Sequence, residues 1–283
     1  MSEPPRPPGP AASPGSSGPS RPVTDPGEGA ETAPVTSRDA GAWIICAGAG
    51  FVAGQLASVV LLEVVAVVSG HGSDVWKLAA RVVPPAWVVV SELVGLWTGF
   101  VAGVVVASTW RGTRHVRRDM GLWVRPWDPV IGVAAGLAGQ ILLLPLLYLP
   151  LEHVIPHLDQ RLKEPAQHLT GGFTGGGSLA VIGALTVLVV PVVEELFFRG
   201  LVLRSLLRLL RGAGPRAGPV AAVLVTGLIF GLAHFEALEL LGLVAFGVVL
   251  SAMAVRFRRL GPSIFAHATF NFLAILSVAG VLH

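Results

Sequence analysis

Apolar residues along this chain come in long unbroken runs rather than in the alternating or helical-stripe patterns of soluble domains. The runs cover roughly 43–69, 85–108, 129–151, 179–200, 218–235, 238–255 and 262–282. Each approaches or exceeds the roughly 20 residues a helix needs to cross a bilayer core. Strands of a membrane barrel would alternate apolar and polar positions, and these runs do not. The pattern predicts an all-α fold, a polytopic transmembrane helix bundle of about 7–8 membrane helices. The eighth would be a re-entrant or interfacial element around 152–168.

Composition sharpens this picture. The 283 residues are 53% hydrophobic and only 13% charged, with a mean hydropathy of +0.71. A water-soluble domain of this size cannot hide so much apolar surface. The net charge of +3 does not point to nucleic acid, because the arginines sit in short clusters between the apolar runs. The single cysteine, Cys46, leaves no intrachain disulfide and no cysteine-based metal site.

Three regions follow. Residues 1–41 hold ten of the 22 prolines with Ser, Gly and both charge signs. They read as a disordered cytoplasmic tail, without the apolar segment of a signal peptide. Residues 42–168 are N-terminal transmembrane helices, and 169–283 form a membrane core with the chemistry. Arg111, Arg114, Arg117, Arg118 and Arg125 fill one connection, Arg199, Arg204, Arg208, Arg211 and Arg216 another, and Arg256, Arg258 and Arg259 a third. The alternate connections are poor in arginine, which places the N-terminus in the cytoplasm. Arginine in preference to lysine suggests a bacterial source, hence a multi-pass protein of the bacterial cytoplasmic membrane. Gly48, Gly50 and Gly54 read as a close-packing face rather than a nucleotide loop. The glycine-rich stretch from Gly171 to Ser178 reads as a flexible connection.

Charged groups within such runs are costly, about 2.5–3.5 kcal/mol each at the bilayer centre, and so ask for a function. Gln55, Glu63, Glu92 and Gln140 are isolated and read mostly as interhelical hydrogen-bonding groups. Three groups stand out in the second half. Glu194-Glu195 precede Arg199, so that Glu195 and Arg199, four apart, share a helical face while Glu194 turns elsewhere. Phe230 and His234 form a second i,i+4 pair, and His267 and Asn271 a third. Folded as a hairpin about Gly214, the chain brings Glu194 and His234 to one height, each being twenty residues from the turn. Apolar counting from Pro262 sets His267 about 10 Å nearer the cytoplasm than His234, a gap that closes where the arginine-bearing helix 201–211 and its partner protrude from the membrane or the helices tilt. Glu194 could take a proton from a water that His234 holds, and His267 with Asn271 could donate to an oxyanion. The alternative is a divalent metal such as zinc, held by Glu194, His234 and His267. No HExxH, no GxSxG and no partner for Cys46 are present.

These groups, in this order, resemble the CPBP family of intramembrane peptidases, which includes the type II CAAX prenyl endopeptidases and bacterial Abi proteins. The family pattern EExxxR, FxxxH, HxxxN is met by Glu194, Glu195 and Arg199, by Phe230 and His234, and by His267 and Asn271. The resemblance spans roughly 179–283 and implies catalysis by Glu194, His234, His267 and Asn271. Glu195 and Arg199 would be a structural pair, with Phe230 positioning. It implies a hydrolase acting on a membrane-associated protein or peptide, with no cofactor certain and a divalent metal left open. The rival from another class is a non-catalytic protein of the same fold, in immunity or scaffolding, or a carrier. A carrier should repeat its polar set in both halves, and this chain carries it in one.

Overall fold

A computed structural model describes Met1 and residues 37–81, 83–171 and 176–278. The chain divides into residues 1–33 and a helical unit, 34–283; apart from Met1, the expected tail falls outside the described residues as far as residue 36. Helix makes up 81% of the structure, and among the described residues there is no strand, which settles the fold class as all-α. The long elements are α1 (Ser37–Val68), α2 (Ala86–Arg111), α3 (Asp128–Glu152), α4 (Gly176 to Ala213), α5 (Ala217–Leu232), α6 (Leu240–Phe257) and α7 (Gly261–Val278). Five segments, Asp39–Val68, Ala86–Arg111, Asp128–Glu152, Ala180–Ala213 and Leu240–Phe257, are long and apolar enough to cross a membrane. Large apolar side chains stay bare on their outer faces, as Val52, Leu56, Val60 and Val67 do on α1. Lipid is the solvent that such a surface fits.

Two boundaries differ from the sequence expectation. α1 starts at Ser37, ahead of the apolar run, because Asp39 in its first turn suits the positive end of the helix dipole. α4 continues through Leu203–Leu209 to a closing 3-10 turn at Leu210–Ala213, well past residue 200. The arginines of that connection, Arg204 and Arg208, therefore ride on helix. The 152–168 region folds as short helices, Leu158–Arg161 and Glu164–Thr170. Residues 172–175 of the glycine-rich connection lie outside the described residues.

α1 and α2 touch backbone to backbone. A Cβ on Gly99 would stand 2.1 Å from the Gly54 nitrogen, one on Gly95 2.3 Å from Ser58, and one on Gly50 2.8 Å from the Gly99 carbonyl. Small residues thus set this seam, as in other membrane helix pairs. Gly48 is not part of it, since a Cβ there meets nothing within 4 Å. Ser58 Oγ donates to the Glu92 carbonyl at 2.7 Å across the same seam.

α7 matters most for the site, and its position is fixed at its foot. Asp128, fully buried at the start of α3, accepts from Arg259 Nη2 at 2.6 Å and from Nε at 2.9 Å. The Arg125 backbone N–H donates to the same carboxylate at 2.8 Å. Leu260 N–H donates to the Gly121 carbonyl at 2.9 Å. α7 then climbs against α3, where a Cβ on Gly132 would strike Phe265 at 2.4 Å and one on Gly136 the Ala266 carbonyl at 2.5 Å. Asp128→Ala leaves a buried guanidinium without its counter-ion and is expected to cost about 3–5 kcal/mol. A thermal melt in detergent checks this, and an unchanged midpoint would contradict the clamp.

Candidate active site

α4 is not a plain helix. It runs as α-helix over Gly176–Ala184, π-helix over Leu185–Val189, α-helix over Val190–Glu195 and π-helix over Leu196–Val202. One turn of ordinary helix, carrying Glu194 and Glu195, is thus held between two widened stretches. Pro191 explains the first. Val190 N–H donates to the Leu185 carbonyl, five residues back. The next donor in that slipped ladder would be Pro191, which has no N–H. The Thr186 carbonyl it should have met accepts instead from Asn271 Nδ2 of α7, at 3.1 Å. Widened turns of this kind are frequent where a helix carries function.

Glu195 and Arg199 are fully buried and paired at 2.7 Å. Arg199 Nη2 also donates to the Gly247 carbonyl of α6 at 3.1 Å, and its guanidinium lies 4.3 Å above the Phe230 ring. Phe230 of α5 is the hub of the cluster. His234 meets it edge-on at 4.6 Å, His267 at 5.8 Å and Phe198 at 5.2 Å. The spacing Phe230 to His234 therefore stacks two rings on one face, and the face is turned toward α4 and α7.

His267 stands between both carboxylates. Its Nδ1 is 3.3 Å from Glu195 Oε1, and its Nε2 is 3.8 Å from Glu194 Oε2. The first contact is a hydrogen bond; the second is too long for one and suits a shared water. Glu194 is only 12% exposed, yet its Oε2 has no hydrogen-bond partner. A buried carboxylate oxygen left bare is an invitation to a water or a substrate. His234 Nδ1 lies 2.7 Å from the Phe230 carbonyl. A carbonyl only accepts, so Nδ1 carries the proton and Nε2 presents its lone pair.

Two pairings differ from the sequence expectation. His267 was expected at a different height from the glutamates, but it meets both; the short Arg258–Leu260 turn and the Asp128 clamp set α7 at that depth. Asn271 was expected to share an oxygen with His267, but its Nδ2 is committed to the Thr186 carbonyl. Among the described contacts, Glu194 faces His267 and not His234. Ser263 is a neighbour of Glu195 that sequence reasoning missed; a serine near a helix start carries no signal of that role. The set Glu194, His234 and His267 does not fit a metal: among the described residues no three His, Cys, Asp or Glu side chains are gathered to hold one. A bound metal normally takes at least three protein ligands.

Residues 176–273 match the family model described as type II CAAX prenyl endopeptidase Rce1-like. These residues are similar to an Rce1-like domain. No curated protein and no solved structure matches the chain. The Rce1-like domain begins with α4 and ends in α7, so every residue of the cluster lies inside it. α1 to α3 lie outside it and supply the packing around it: Phe100 of α2 stacks on Phe197 at 4.0 Å, and Trp43 of α1 stands under the Arg208 guanidinium at 3.9 Å.

The loop that carries His234 also holds Glu236 and Glu239. It is tied to α3 by Tyr148, whose hydroxyl donates to the Leu238 carbonyl at 2.9 Å and accepts from Gly242 N–H at 3.1 Å. Burial, with the neighbouring Glu236 carboxylate, pushes Glu239 up from 4.5 to about 7. The folded chain then keeps a proton that the unfolded chain releases across that window. Stability from this group is full below pH 4.5 and lost as pH rises toward 7. Glu239→Gln is expected to flatten that fall in melting temperature, and a parallel fall in both proteins would contradict it. At the buried pair, Arg199→Met should strand Glu195 and cost several kcal/mol, with Glu195→Gln added to it restoring about half. A double-mutant cycle in melting temperature reads the coupling; simple additivity would remove the pair from the argument.

Proposed function

We propose that the protein is an intramembrane endopeptidase, hydrolysing a peptide bond of a membrane-associated protein or peptide with water activated by Glu194. The observation that carries this reading is the bare Oε2 of Glu194, turned toward His267 Nε2 inside an Rce1-like domain. Glu194 takes a proton from the water as its oxygen attacks the scissile carbonyl carbon. Glu195 accepts from His267 Nδ1 and so fixes the ring with its other nitrogen toward the reacting oxygens. His234, with its Nε2 lone pair facing outward from the Phe230 hydrogen bond, accepts from the same water or from the substrate. The proton on Glu194 then goes to the leaving amine, which leaves as the tetrahedral carbon collapses. Asn271 holds α4 and α7 together at the Thr186 carbonyl and keeps a second amide N–H for the developing oxyanion.

The same reading puts all of α1 to α7 in the bilayer. α5 is the short one, 16 residues, and the arginine-bearing end of α4 reaches beyond the lipid beside it. The arginine clusters favour a cytoplasmic N-terminus, and a bacterial cytoplasmic membrane is the setting. The substrate is a peptide already at the membrane, since a site ringed by α4, α5 and α7 is met most readily from lipid.

Glu194→Gln removes the base but keeps the shape, and its loss of turnover should be about 10²–10⁴-fold. Fragment patterns of the membrane proteome with the intact protein, Glu194→Gln and Glu194→Ala read this. Fragments made equally by all three would remove Glu194 from the chemistry. Turnover that survives an extensive chelator wash is the expected companion result.

A further inference from the structure

Among the described residues, helical threonines other than Thr186 satisfy their hydroxyls in one way. Thr98, Thr109, Thr170, Thr226 and Thr269 each donate to the carbonyl four residues back, at 2.7–2.9 Å. Thr186 does not. It is 8% exposed, and its Oγ1 has no hydrogen-bond partner among the described residues. Inside a lipid-embedded bundle an unpaired hydroxyl is a standing cost of about 1–3 kcal/mol. The five that bond backward stand in regular helix, whereas Thr186 lies in the widened Leu185–Val189 stretch. Its position is equally specific. Thr186 sits in the widened Leu185–Val189 stretch, opposite Asn271, whose amide is bonded to its carbonyl. An apolar groove opens at neighbouring positions, between Val187 and Leu188 of α4 and Phe272 and Ile275 of α7, with neither Thr186 nor Asn271 in its lining.

We infer that Thr186 is a substrate-positioning residue whose hydroxyl pairs with a backbone amide of the bound peptide. This rests on the endopeptidase reading and adds a contact remote from the cleaved bond. A peptide drawn from lipid loses water from every N–H and C=O and needs protein partners. A hydroxyl meets either, because it both donates and accepts. Thr186 precedes Glu194 by eight residues, about 12 Å along a helix. An extended peptide covers that distance in about 3–4 residues. Thr186 thus grips the substrate 3–4 residues from the scissile bond, by the same estimate, and reads main chain rather than side chain. The Asn271 bond uses the Thr186 carbonyl, so changing the side chain leaves the α4–α7 tie in place.

The test is Thr186→Val, which keeps the shape and removes the oxygen, beside Thr186→Ser, which keeps it. The probe is a fluorogenic peptide spanning a cleavage site found in the membrane-proteome comparison, used at full length and cut back by four residues on either side. In Thr186→Val the expected KM rises about three- to tenfold, the size of one hydrogen bond, with kcat held. Thr186→Ser should recover it, and the effect should vanish on one of the shortened peptides. The melting temperature of Thr186→Val without substrate should match or exceed that of the unaltered protein. A lower melting temperature would make the hydroxyl structural and overturn the inference, as would an unchanged KM. If Glu194→Gln is dead and Thr186→Val is unaffected, only this inference fails. If Glu194→Gln cleaves like the unaltered protein, the endopeptidase reading fails and this inference goes with it.

Discussion

A carboxylate and a guanidinium with no water around them impose the arrangement of everything near them. Glu195 and Arg199 are both fully buried at the centre of the bundle. Neither charge is tolerable there without the other, and the pair still leaves donors and acceptors over. Those remaining valences recruit the neighbours: the Gly247 carbonyl from α6, the Phe230 ring from α5, and His267 from α7. Four helices are thereby keyed to one ion pair. The second glutamate, on the same turn but another face, is spared from this duty; its Oε2, like the Oε2 of Glu195, has no hydrogen-bond partner among the described residues. Adjacent identical residues are given different partners by a rotation of one position.

The division was legible in the sequence. Glu195 and Arg199 lie at i,i+4, and that spacing alone assigns one glutamate to the arginine and frees the other. The apolar runs gave the all-helical class and the approximate course of α1, α2, α3 and α6, because lipid leaves the backbone few options. The depth of α7 was not legible. It depends on Asp128 pairing with Arg259 across 131 positions, and nothing local announces such a contact. Counting apolar residues from Pro262 therefore left the height of His267 open until that contact was known. The helix that leaves the membrane after residue 200 was legible, since the hairpin about Gly214 carries it to about residue 211; arginine is a good helix former and its long stem reaches past the membrane edge.

The widened stretches of α4 were hidden as well, although one sign of them was present. Pro191 inside an apolar run must orphan a carbonyl, and a carboxamide or hydroxyl elsewhere must meet it. Asn271 fills that place. Its partner could not be named without knowing that α7 lies against α4, which is why the asparagine looked free to serve only the reaction. One amide here supports the backbone with one hydrogen and has a second to give.

Each π stretch holds a residue more than an ordinary helix of the same height would use. The rotational phase of α4 is consequently reset just before Glu194 and again just after Glu195. Shortening Leu185–Val189 by a single amino acid would let that stretch relax to regular geometry and leave the phase of all that follows nearly as it is. The same loss inside the ordinary turn Val190–Glu195 would instead swing everything beyond it by about 100°. The widened stretches are thus where this helix can take in or give up a residue with its acidic turn still facing its partners, and the short segment between them is where it cannot.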